Sequence, residues 1–277
     1  MSQLIHLKQR IKSITVIKKI THAMRLISMS SHSKLKKHVE SLHAYKQHLL
    51  PILCALEQST QPEESISTKS KKTAYIIIGS EKGLCGNFNN LLFTYIEKTL
   101  SPSKLSPATV ITVGKRATEF MRKKDLKLYK MYNKFTQSKI ESIAEHLYQD
   151  VLNLKKDHQE IICLFNFPRT FFLQEPLQEI VFPVTNYECS TTITNLDEYH
   201  WPQDSKEVSQ AIFNNLIKIH ILRLLSQSMM AEQSARFISM DSSTQNAENL
   251  LKSMQLLYNK LRQAKITKEL AELSSSF

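Results

Sequence analysis

The chain has 277 residues, 42% of them apolar and 22% charged, with a formal net charge of +12. That balance excludes a disordered chain and a membrane-embedded one, and the length allows one or two domains with a sizeable core. The longest apolar stretch, around Ala74–Ile78, is far too short to cross a bilayer, and no apolar run after the N-terminus reads as a secretory signal. The positive charge calls for an acidic partner: nucleic acid, an anionic membrane or an acidic protein surface.

Glycine and proline divide the chain. Neither occurs before Pro51 or after Pro202, and Gly79, Gly83, Gly86 and Gly114 all lie between. These residues break helices, so two long breaker-free tails predict two long helices around a punctuated centre. The predicted domains are an N-terminal coiled-coil helix over 1–58, an α/β domain over 73–200 and a C-terminal coiled-coil helix over 205–277.

In the first tail, Leu4, Leu7, Ile11 and Ile14 step by three, four and three, and Ile17, Ile20, Met24 and Ile27 repeat that spacing. Between Ile14 and Ile20 the steps are three and three, so the predicted seam slips around the helix there. Glu57–Lys72, rich in Ser, Thr, Gln and Glu, reads as a linker. Thr73–Gly79 reads as a buried strand, Asn87–Leu100 as a helix, Ala108–Gly114 as a strand, and Lys115–Lys124 as a short helix. A weaker strand follows at Lys127–Tyr132. A helix over Gln137–Lys155 carries Ile140, Ile143, Ala144, Leu147 and Val151 on one face. Gln159–Phe165 is a strand, Phe171–Val184 one more strand or a hairpin, and Thr191–Ser205 the returning linker. In the last tail, Leu250, Met254, Leu257, Leu261 and Ala264 step by four, three, four and three. Met229, Met230, Phe237, Ile238 and Met240 lie among serines and alanines, which suggests a second surface to slide on or dock against, or else packing against a third helix of the same chain.

At 1.5 Å per residue the tail helices would span roughly 85 and 105 Å, too long to hide their stripes except against each other. The predicted fold class is α+β: a long antiparallel coiled coil of the N- and C-terminal helices, plus a central Rossmann-like α/β domain with a mostly parallel sheet.

Catalytic and ligand-binding signals are weak. Gly79–Gly86 follows a strand and opens a helix, where phosphate loops sit. Its spacing, G-x-x-x-G-x-x-G, fits neither the dinucleotide nor the nucleoside-triphosphate pattern, and Asn87 stands where a lysine is needed. The structural reading is a tight turn with Asn87 as N-cap. Cys54, Cys85, Cys163 and Cys189 are scattered with no close pair, which reads as four reduced thiols and no metal site. His32, His38, His43 and His48 lack the spacing of a metal clamp, and Lys34, Lys36 and Lys37 read as a solvated helix face. Asp241 and Glu248 sit among serines and asparagines on what the pattern makes an exposed face, so acid–base work is weakly supported. Trp201 falls in a linker. No catalytic, cofactor-binding or metal residue is assigned.

Three segments together resemble the F-type ATP synthase gamma subunit. Arg10-Ile11-Lys12-Ser13-Ile14 and Lys18–Met24 are similar to R-I-x-S-I and K-I-T-x-A-M. Gly83-Leu84-Cys85-Gly86-Asn87-Phe88-Asn89 resembles G-L-C-G-x-x-N. Glu232–Arg236, Met240-Asp241, Asn246-Ala247 and Tyr258–Leu270 match in order and spacing. Leu26–His32 is bulkier and more polar than the alanines usual there, and Ser274–Phe277 replaces a glycine- and alanine-rich end. The plastid-type regulatory cysteine insertion is absent.

The resemblance implies a non-catalytic rotor shaft of the synthase, coupling proton-driven rotation of the c-ring to ATP synthesis. It implies no cofactor. Implied partners are the hexamer of three α and three β subunits, the epsilon subunit and the c-ring; the membrane is met only through the c-ring. Met24, Arg25, Arg262, Gln263 and Thr267 would contact β-subunit loops. The first 39 residues, basic and acid-free, have the character of a transit peptide, but the resemblance starts near Arg10. The expected setting is therefore the cytoplasmic side of a bacterial cell membrane. The alternative is a basic coiled-coil nucleic-acid-binding protein, which accounts for the charge but not for the Arg262–Thr267 segment and lacks aromatics among its basic residues. An ATP-binding enzyme ranks third.

Overall fold

The structure, a computed structural model, describes residues 2–59, 72–100, 108–124, 128–183 and 205–275. Most of both expected linkers, together with Cys189 and Trp201, lies outside them. Two helices dominate: α1 (Ser2–Ser59), which runs through Pro51, and α5 (Ser205–Ser274). Between them come β1 (Thr73–Ile78), α2 (Phe88–Thr99), β2 (Thr109–Val113), α3 (Lys115–Lys123), β3 (Leu128–Tyr132), α4 (Ile140–Leu154), β4 (Glu160–Pro168) and β5 (Gln174–Phe182). The chain forms two compact units, one of residues 31–235 and one of 1–30 with 236–277.

In the larger unit the strands form one sheet in the order β3-β2-β1-β4-β5. β1 pairs in parallel with β2 and β4, β2 with β3, and β5 closes the edge antiparallel to β4. Strands of a parallel sheet are covered on both faces and read as apolar runs, which is why Thr73–Ile78 was legible as a strand. One face carries Ala74, Ile76, Ile111, Val113, Ile161 and Cys163 against α4, Leu35 of α1 and Ile217–Met229 of α5. The other packs Tyr75, Ile77, Val110 and Leu164 on Leu92 and Ile96 of α2 and Ala117 and Met121 of α3. The first part of α5 and the later part of α1 are thus built into the α/β unit.

Two glycines are fixed by geometry. Gly114 has φ +88°, and a Cβ there would stand 2.4 Å from the Gly79 carbonyl oxygen. A Cβ on Gly79 would meet the Ala117 Cβ at 2.9 Å. The two crossovers from strand to helix are therefore packed backbone on backbone. Cys85 and Cys163 are buried thiols, as expected, but Cys54 is disulfide-bonded. Chain spacing could not reveal this, because disulfide partners are neighbours in space and not in sequence.

Candidate functional site

In the smaller unit α1 and α5 run antiparallel. Lys18 pairs with Glu248, Thr21 with Thr244 and Arg25 with Asp241, so one number rises as the other falls. Beyond these, Ile14 and Ile11 pack on Ala247, Leu251 and Met254. On α1 the seam is 11, 14, 18, 21, 25 and 28, a single heptad stripe with Ile14, Thr21 and Ser28 buried.

This corrects the expected slip. The seam keeps its period and turns polar, while Ile17, Ile20 and Ile27 stand 52, 53 and 64% exposed. On α5 the expected seam residues Leu250 and Leu257 are 44 and 47% exposed, and Ala264 is exposed; Ala247 and Leu251 take part with Met254. Nor do Asp241 and Glu248 form a free acidic face, since each meets a cation of α1. The cause is pairing across the interface: hydrophobicity along one helix cannot report which polar groups find partners on the other.

The polar stretch is well connected. Arg25 Nη1 donates to Asp241 Oδ1 at 2.5 Å, and its Nη2 lies 3.3 Å from His22 Nδ1. Gln245 Nε2 donates to the other Asp241 oxygen at 3.0 Å. Lys18 Nζ is 3.4 Å from Glu248. The Thr244 hydroxyl donates to Thr21 Oγ1 at 2.8 Å, and Thr21 donates to the Lys18 carbonyl at 3.1 Å, a buried relay that satisfies both side chains.

The five residues singled out as partner contacts fall at two stations. Met24 and Arg25 are half-buried, and Arg25 is tied to Asp241. Arg262, Gln263 and Thr267 are exposed, with the Thr267 hydroxyl donating to the Gln263 carbonyl at 3.0 Å. Arg262 lies about 30 Å along α5 from Asp241 at 1.5 Å per residue, so the structure does not gather the five into one patch.

The turn after β1 is filled by its own chain. Asn89 Oδ1 accepts the Ser80 amide at 3.1 Å, and Asn89 Nδ2 donates to the Ser80 hydroxyl at 2.8 Å. Glu81 accepts the backbone amides of Lys115 at 3.3 Å and Phe135 at 3.1 Å, placing a carboxylate at the start of α3. A carboxylate there satisfies the helix N-terminus, the role a bound phosphate plays in related folds. Asn87 holds the N-cap position of α2 but makes no side-chain capping bond; Asn89 supplies the polar contacts of that turn. Asn166 Nδ2 donates to the Phe88 carbonyl at 2.7 Å, and Cys85 and Phe88 pack on Ala231 and Ala235 of α5.

A second polar cluster lies where α1, β5 and α5 meet in the larger unit. Arg223 bonds Glu179, and its Nη1 donates to Gln227 at 3.0 Å. His220 Nε2 is 3.6 Å from Glu179. Burial, then the cations of Arg223 and Lys46, push the His220 pKa down to about 3. Burial first, then the Arg223 charge, lowers the Lys46 pKa, against an upward pull from Glu179. Among the described residues no group of His, Cys, Asp and Glu could hold a metal ion, and no helix is long and apolar enough to cross a membrane.

A doubly wound sheet whose ligand turn is braced by its own side chains, joined to two long paired helices with apolar residues facing out, defines a structural subunit built to work against other proteins. The ATP synthase family model matches residues 3–277. The ATP synthase gamma chain of Amoebophilus asiaticus is 31% identical over 282 residues, covering 96% of this chain and 94% of that one. That of Clostridium novyi is 30% identical over 275 residues, covering 98% and 95%. A chain of the Euglena gracilis mitochondrial ATP synthase, from the assembly of OSCP, F1 and c-ring, superposes with a TM-score of 0.69 at 18% identity, covering 99% of this chain and 93% of that one. The chain belongs to the ATP synthase gamma chain family. As a gamma chain it is a non-catalytic subunit of the synthase, and nothing in these likenesses favours the nucleic-acid reading.

Proposed function

We propose that the helical pair of residues 2–30 and 236–275 turns inside the hexamer of α and β subunits, and that the α/β unit sits on the c-ring beside the epsilon subunit. The chain then transmits torque between ion flow and ATP synthesis from the cytoplasmic side of a bacterial cell membrane, peripheral to it. The observation that carries this reading is the outward apolar stripe of α1, with Ile17, Ile20, Leu26 and Ile27 all more than half exposed. A two-helix coil that served only to hold itself together would bury such residues. A protein sleeve that closes around the shaft gives them a surface to slide on. The exposed cations of α1 and α5 suit acidic loops lining that sleeve, because charge attraction acts without fixing one geometry.

In this reading Arg262, Gln263 and Thr267 grip a β-subunit loop in one rotary pose, and Met24 with Arg25 forms a second contact nearer Asp241. Hydrogen bonds of this kind, one of them charge-assisted, contribute roughly 1 to 3 kcal/mol each, enough to select a pose and small enough to release. Replacing Arg262, Gln263 and Thr267 together by alanine is expected to leave the thermal unfolding of the free chain and hexamer assembly intact while lowering steady-state ATP turnover of the reconstituted complex. Unchanged turnover would make the three residues plain solvated surface.

A further inference from the structure

The middle of the coil makes a choice that its apolar residues alone would make differently. Ile17, Ile20, Met24 and Ile27 form a stripe on α1 one residue, about 100°, round from the observed seam of Lys18, Thr21, Arg25 and Ser28. Rolling α1 by that angle would bury three isoleucines now more than half exposed. What α5 offers at those heights opposes the roll. Glu248, Thr244 and Asp241 present carboxylate, hydroxyl and carboxylate to the ammonium, hydroxyl and guanidinium of Lys18, Thr21 and Arg25. A rolled α1 would press isoleucines on two carboxylates, desolvating them without a cation opposite, and would leave the buried Thr244 hydroxyl only the Met240 carbonyl of its own helix, 2.7 Å away. Polar pairs in a coil seam are effective at fixing register even where they add little stability.

We propose that the three pairs Lys18–Glu248, Thr21–Thr244 and Arg25–Asp241 are the rotational key of the shaft. They hold α1 in the roll that keeps Ile17, Ile20 and Ile27 facing outward, and so make Arg25 a positioning residue within the shaft. The roll is a property of the free chain; only its use as a bearing surface rests on the function proposed above.

The test reads the roll directly. Cysteine is placed at Ile20 or at Ser28 in the full chain, and labelling by a water-soluble maleimide is followed by site-resolved mass spectrometry. Ile20 is 53% exposed and Ser28 buried, so Ile20→Cys should label quickly and Ser28→Cys slowly. Asp241→Leu with Glu248→Leu removes the carboxylates and offers the isoleucines an apolar surface. In that background labelling of Ile20→Cys should fall about tenfold or more and that of Ser28→Cys should rise, as burial exchanges between them. The charge-swapped chain, Arg25→Asp with Asp241→Arg, should keep the native pattern. A native pattern in the double leucine variant would overturn the key. So would fast labelling at both positions, which would mean that the pairs hold the helices together and do not set their roll. The bearing is judged separately, by ATP turnover of reconstituted complexes: a reversed labelling pattern with unchanged turnover would leave the key standing and remove the bearing.

Discussion

Leu251 measures what the apolar part of the coil contributes. It is 9% exposed and packs with Ile14, Ile11, Ala247 and Met254. Truncating a buried leucine to alanine costs roughly 2 to 5 kcal/mol, the spread reflecting how far the site can collapse. A seam between only two helices relaxes easily, so Leu251→Ala should fall at the low end, about 2 to 3 kcal/mol. At about 1.4 kcal/mol per factor of ten, the coil would open roughly 30 to 150 times more often. Native-state amide exchange should therefore accelerate by that factor across residues 5–28 and 240–262. The amides of α4, in the other unit, should keep their rates. Leu257→Ala is the control: at 47% exposure it should change exchange by less than about twofold, within the range of ordinary surface substitutions. Equal acceleration by the two substitutions, or none from Leu251→Ala, would refute the seam assignment and the energetics built on it.

Two further outcomes are expected. His220 is held neutral, with its pKa pushed from 6.5 to about 3, so its contribution to stability is complete above pH 6.5 and is lost as pH falls toward 3. Urea unfolding should show the chain weakening across that window, and His220→Gln, which cannot charge, should flatten the slope; an unchanged slope would show that other groups set it. Calorimetry of the purified chain with Mg-ATP should give no micromolar binding, because the glycine spacing fits no phosphate loop and Asn89 and Glu81 already take the amides of Ser80, Lys115 and Phe135 around that turn. Micromolar binding that Gly83→Ala abolishes would refute this.

Glycine and proline placement marked off the two long tails from the centre, and apolar runs and periodicity located the elements within it. Thr73–Gly79, Asn87–Leu100 and Gln137–Lys155 were therefore legible, and β1, α2 and α4 fall within them. The α1 seam was legible as far as Ile14, where hydrophobicity and pairing agree. Beyond that point they diverge: Lys18, Thr21 and Arg25 earn their burial from Glu248, Thr244 and Asp241, more than 200 residues away in the chain. Leu257 was misplaced for the same reason, since α5 has leucines on two faces and only the contact with Ile14 selects Leu251 and Met254. The G-L-C-G turn was read as structural from its spacing. That Asn89 and not Asn87 makes its polar contacts depends on a backbone path with Leu84 and Gly86 at positive φ, which spacing does not encode. Of the five proposed contact residues, the tie of Arg25 to Asp241 could be found only by seeing both helices together.

The brace in the turn after β1 has a mechanical consequence. In a doubly wound sheet that takes a cofactor, the first turn stiffens when its ligand arrives, so rigidity follows ligand concentration. Here the Glu81 carboxylate and the Asn89 amide are covalent parts of the chain, present at unit stoichiometry whatever the surroundings. If the calorimetry finds no ATP binding, the stiffness of the α/β unit is independent of the adenylate pool. A drive train that turned softer or harder as ATP rose and fell would return a variable share of each rotation as recoil; one with a built-in brace transmits the same angle from a starved cell as from a well-fed one.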